Sequence, residues 1–171
     1  MERSEKKLAE LGSLLESGNL RDIDKRIRLM RTETLFNGAL RMLALYYDKS
    51  DNESIKLSIS GFFNDIKNSA AKAEIIKSLA EVSRQDSMVM LASSCWQSGL
   101  DYSEHAIALA DAFMAGDYRT SLECFTVIDN CSGSISDGDR LAIIFKLKNE
   151  INTYDTFKQK LAGELITLLK K

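Results

Sequence analysis

The residues of this chain best suited to chemistry are few and scattered. Glu104 and His105 are adjacent, and a carboxylate beside an imidazole can trade a proton near neutral pH. Neighbours in sequence leave a helix in different directions, so this pair reads as solvated surface rather than as converging acid and base. Cys95, Cys124 and Cys131 form no CxxC, are odd in number and sit inside apolar helical patterns. They read as small buried hydrophobes in a reducing compartment. A single histidine leaves no Cys/His set with the spacing zinc requires. The segment Gly133-Ser134-Ile135-Ser136-Asp137-Gly138 is not the G-x-S-x-G of a nucleophile elbow. No Gly-Lys-Ser/Thr follows it, as a phosphate loop would need. Asp137 and Asp139 offer oxygens, yet the EF-hand spacing and its closing glutamate are missing. The sequence therefore assigns no catalytic residue, no cofactor site and no metal site. Trp96 lies in an apolar stripe and reads as core, and Tyr46-Tyr47 as a half-buried helix end.

The elements that carry these residues are helices. Proline is absent, 44% of the residues are hydrophobic and 28% are charged, a balance that folds rather than stays disordered. Leu8, Leu11, Leu14 and Leu15 stripe a first helix from Ser4 to about Ser17, which Gly18 ends. Ile23, Ile27 and Met30 mark a second helix. Leu35, Phe36, Ala39, Leu40, Leu43 and Tyr47 mark a third, joined to the second near Thr32. Ser50 and Glu53 form a capping box for the next helix, which buries Ile55, Ile59, Phe62, Phe63 and Ile66. Asp101 with Glu104, and Asp117, mark further helix starts. Leu122, Phe125 and Ile128, then Leu141, Ile144, Leu147 and Ile151, are the expected buried stripes of two later helices. A last helix, about Thr153 to Leu169, should bury Phe157, Leu161, Leu165 and Leu168. Strand-like alternation occurs nowhere.

From Asp51 onward one unit recurs: a helix, a short polar break, a second helix. Its openers begin at Asp51, Asp86 and Asp117, 35 and then 31 residues apart, and their followers are AAKAEIIKSLAEV, SEHAIALADAFMA and DRLAIIFKLKNEI. A helix pair of this kind has more apolar surface than it buries alone, so neighbours must stack. Over about Asp51–Ile151 the chain resembles the HEAT/armadillo-like α-solenoid repeat superfamily, with Leu20–Tyr47 as a further irregular pair. The proline common in the first helix of those repeats is missing here, and the tetratricopeptide positions do not recur at a constant period. The resemblance implies an all-α fold of antiparallel helix pairs stacked as a short right-handed solenoid; an irregular helical bundle is the alternative. One domain, 1–171, is expected, with N-terminal helices over 1–50, three helix-pair repeats over 51–151 and a C-terminal capping helix over 152–171.

Charge then bounds the function. The net charge of −2 gives no global attraction to nucleic acid or to an anionic membrane. Between Asp86 and Asp139 nine acids face one base, Arg119, whereas Arg140–Lys171 holds seven bases and three acids. Helix-start dipoles explain several of the acids, but not Asp111, Glu123 and Asp129. With Glu104 and His105, these three are the candidate partner-binding residues. They predict an acidic surface that steers a basic protein or peptide to a groove lined by the second helices. The expected function is a non-enzymatic protein–protein interaction, regulatory or scaffold module. Two alternatives are weighed. HEAT-like DNA-repair glycosylases grip phosphates with a basic concave face, a reading the acidic centre opposes. A self-associating structural subunit, a homo-oligomer, would show exposed apolar terminal helices. No secretory h-region and no run approaching the ~20 apolar residues of a membrane span is present, so cytoplasmic residence is the expectation.

Overall fold

The computed structural model describes residues 2–171, with side chains from Ser4 onward. It contains ten α-helices, and among the described residues no strand: α1 Glu2–Ser17, α2 Leu20–Met30, α3 Ala39–Lys49, α4 Glu53–Asn64, α5 Lys72–Glu81, α6 Gln85–Gln97, α7 Ala106–Ala115, α8 Tyr118–Cys131, α9 Asp137–Glu150 and α10 Thr156–Leu169. Short 3₁₀ turns at Ser69–Ala71, Ser103–His105, Ser132–Ser134 and Ile151–Thr153 lead into or out of the longer helices.

Local chemistry sets five of the ten starts. Asn19, Asn52, Asp117 and Ser136 each accept a hydrogen bond from an early amide of the helix they precede, and Asp155 accepts from both Phe157 and Lys158. The cap of α4 is therefore Asn52, not Ser50. The Ser50 hydroxyl accepts from the Asn52 amide instead, and Glu53 is the first helical residue. A long non-helical break, 31–38, separates α2 from α3, with the Thr32 hydroxyl donating to the Leu29 carbonyl at the end of α2. Gly38 ends this break at φ 87°, and a Cβ there would meet Leu8 Cδ2 at 3.0 Å. The conformation and the space both call for glycine. α10 starts at Thr156, since Ile151–Thr153 is a separate 3₁₀ turn.

The helices adjoin in two series. α2, α4, α6, α8 and α10 pack one on the next, and so do α1, α3, α5, α7 and α9. Every substantial helix–helix contact joins elements no more than three apart in chain order. Among sequence neighbours, α5 packs closely on α6 and α7 on α8, whereas α4 adjoins chiefly α2 and α6. The close sequence-adjacent partners are thus offset by one helix from the opener–follower pairs read in the sequence. A single apolar cluster runs through both series from Leu11 to Leu169, with Phe63, Phe113 and Tyr102 among its fully buried members. Each buried Phe is worth about 2–3 kcal/mol of burial.

Polar clips tie this core together at a near-constant stride. Ser58 donates to Asp24 (2.6 Å), Lys56 pairs with Asp86 (2.5 Å) and Lys67 donates to the Ser98 carbonyl (2.6 Å). The Asp117 amide donates to Gln85 (3.0 Å), Lys146 pairs with Asp111 (2.5 Å), and Arg31 pairs with Asp65. The partners stand 34, 30, 31, 32, 35 and 34 residues apart in that order, close to the spacing of the sequence units.

Candidate interaction surface

The acidic centre expected from sequence is largely occupied from within the chain. Asp86 is held by Lys56 and Arg84, Glu104 by Lys72 (2.5 Å), and Asp111 by Lys146. The hydrogen bond and charge of Lys56 keep Asp86 below the usual carboxylate range, and those of Lys72 do the same for Glu104. Asp117 caps α8, and Asp137 and Asp139 lie in the first turn of α9. The cations that answer these acids come from before Asp86 or after Asp139. A sequence window shows the acids as unbalanced because their partners lie one unit away.

The five candidate residues do not converge. Glu104 and His105 lie together in the 3₁₀ turn before α7, with His105 Nε2 3.7 Å from Glu104 Oε1. Burial lowers the His105 pKa below its ordinary value, against the raising effect of Glu104, and so favours the neutral ring. The ring sits 6.3 Å from that of buried Tyr102. Asp111 is on α7, at the edge of an apolar groove of about 460 Å³ between α5 and α7 that includes Ile76, Met88, Ala108 and Ala115. Glu123 and Asp129 are on α8, in the other series and six residues apart, which turns them roughly 120° from each other. Asp129 is exposed.

Trp96, read as core, is instead 39% exposed. It stands at the C-terminal end of α6, and its Nε1 donates to Glu123 Oε2 of α8 at 2.6 Å. The pair borders a cleft of about 330 Å³ lined by Trp96, Leu100, Asp101, Val127 and Asn130. Leu122 and Phe157, also expected in the core, are exposed, and so is Leu57. The rings of Phe157 and Tyr118 meet edge to face with centroids 6.2 Å apart. Leu57, Trp96, Leu122 and Phe157 belong to α4, α6, α8 and α10, successive neighbours in one series. Sequence reasoning missed the exposure of the last three because they fit helical stripes. Leu57 alone was legible, since it falls off the Ile55–Ile59–Phe62–Phe63 stripe.

The remaining reactive groups are withdrawn. Burial raises the thiols of Cys95, to about 12, and of Cys131, to about 11, and raises that of Cys124 as well. Among the described residues no group of three or more His, Cys, Asp or Glu could hold a metal ion. No described helix is long and apolar enough to cross a membrane. No protein family, curated protein or solved structure matches the chain.

Proposed function

We propose that the protein is a non-enzymatic binding module, built as a short HEAT-like α-solenoid, that holds a partner protein on the α4–α6–α8–α10 side. The solenoid reading is supported by the stride of about one sequence unit in the polar clips and by contacts confined to near neighbours along the chain. The observation that carries the function is that Leu57, Trp96, Leu122 and Phe157, one on each of four adjoining helices, are exposed. Aromatic anchors flanked by polar groups are what protein interfaces use for most of their affinity. Glu123 and exposed Asp129 on the same helix as Leu122 would favour a partner that presents a cation beside its apolar side chains.

The test is capture from native lysate at low and moderate salt, using the wild type beside a Trp96→Ala/Leu122→Ala variant, with bound proteins identified by mass spectrometry. The expected result is a partner held by the wild type and weakened about tenfold or more in the variant. Glu123→Gln with Asp129→Asn should make its retention more salt-sensitive. A partner that binds wild type and Trp96→Ala/Leu122→Ala alike would defeat the assignment of this surface.

A further inference from the structure

A second exposed apolar pair lies on α9, in the other helix series. Leu141 and Phe145 are each 68% exposed, among the largest apolar exposures in the chain. Asp137, Leu141, Phe145 and Lys148 follow one another at steps of four, four and three residues, which places them along one side of the helix. That side can be oriented. Lys146 reaches Asp111 of α7 and so marks the edge of α9 that faces α7. At roughly 100° per residue, the four stripe residues lie between roughly 100° and 180° around the helix from Lys146. They face away from α7, where no described helix covers them. Asp137 and Lys148 are exposed, and neither pairs with another described residue.

The order along the stripe is acid, Leu, Phe, base. Laid against a copy of itself running the opposite way, Leu141 of one chain meets Phe145 of the other, and in the same register Asp137 meets Lys148. Both matches share one midpoint, near residue 143. A twofold axis there makes the two apolar contacts and the two ion pairs simultaneously, as an isologous interface requires. Antiparallel packing also brings the N-terminal end of each α9 to the C-terminal end of the other, an arrangement in which the two helix dipoles attract. We infer that this face of α9 is a self-association surface, and that its occupant is α9 of a second copy of the chain in antiparallel register.

Sedimentation equilibrium of the full chain over a range of concentrations tests the idea. A monomer–dimer equilibrium is expected, and Phe145→Glu should weaken it about a hundredfold or more, since each dimer loses two buried rings. Because Phe145 is exposed, circular dichroism should show the fold retained. The decisive arm is a mixing experiment. Asp137→Lys sets cation against cation in both halves of its homodimer, and Lys148→Asp sets acid against acid, so each alone should associate about fivefold more weakly. Mixed together they form a heterodimer in which every pair is again opposite in charge, and association should return. A chain monomeric up to about 1 mM overturns the inference. So does a dimer indifferent to Phe145→Glu, and so does a mixture no stronger than its components.

Discussion

Cys95, Cys124 and Cys131 carry the strongest nucleophile type in the chain, and all three are held where nucleophilicity is lost. They are buried, and burial raises each thiol well above its ordinary range. A thiol reagent such as 5,5′-dithiobis(2-nitrobenzoate) should therefore titrate none of them in the folded protein at pH 8, and all three in urea. Fast labelling of the native state would show that the α6–α8 core opens readily. This burial was legible in the sequence, because each cysteine falls inside an apolar stripe. The exposure of Trp96, Leu122, Leu141 and Phe157 was not. A 3.6-residue period shows which side chains share a face, but not how wide an arc the neighbouring helices cover. Phe157 stands one turn before Leu161 on α10; Leu161 lies over the core and Phe157 beyond its edge.

At the scale of the element, the start of α6 depends on a group from another helix. Its N-cap, Arg84, has no side-chain cap of its own. Instead the Asp48 carboxylate of α3 accepts from the Arg84 amide at 2.9 Å, the Ser83 hydroxyl at 2.9 Å and the Ser83 amide at 3.1 Å. Burial pushes the Asp48 pKa up, but these hydrogen bonds outweigh it and leave the value below the ordinary carboxylate range. A folded-state pKa below the unfolded one means the stabilisation is complete above the unfolded value and drains away as pH falls through the folded one. Asp48→Asn should cost about 1–2 kcal/mol at pH 7 by urea denaturation. That difference should shrink as the pH falls below the ordinary aspartate value of about 3.9. Equal costs at pH 7 and pH 3 would argue that shape, not charge, fixes this helix start. Among the caps that act within a few residues, sequence signals found Asp117 but took Ser50 for Asn52. They missed Asp48, whose partners lie 35 and 36 residues away.

Across the whole molecule, the all-helical build was legible in the sequence. The grouping of helices was not: which neighbour a helix grips depends on the widths of two apolar faces and on loop geometry, and both α4–α5 and α5–α6 satisfy the pattern. Contacts confined to near neighbours predict regional rather than global loosening. Leu11→Ala, which should remove about 2–4 kcal/mol of packing under α1, should speed hydrogen exchange through α1–α3 while leaving α7–α9 protected. Uniform acceleration along the chain would mean one cooperative core. The polar clips carry a mechanical corollary. Each joins residues 30 to 35 apart in the chain, and none bridges the N-terminal helices to the C-terminal ones, so tension applied at the two termini would pass through them in series. Such a chain would peel under load in small successive steps, lengthening like a spring before any single rupture.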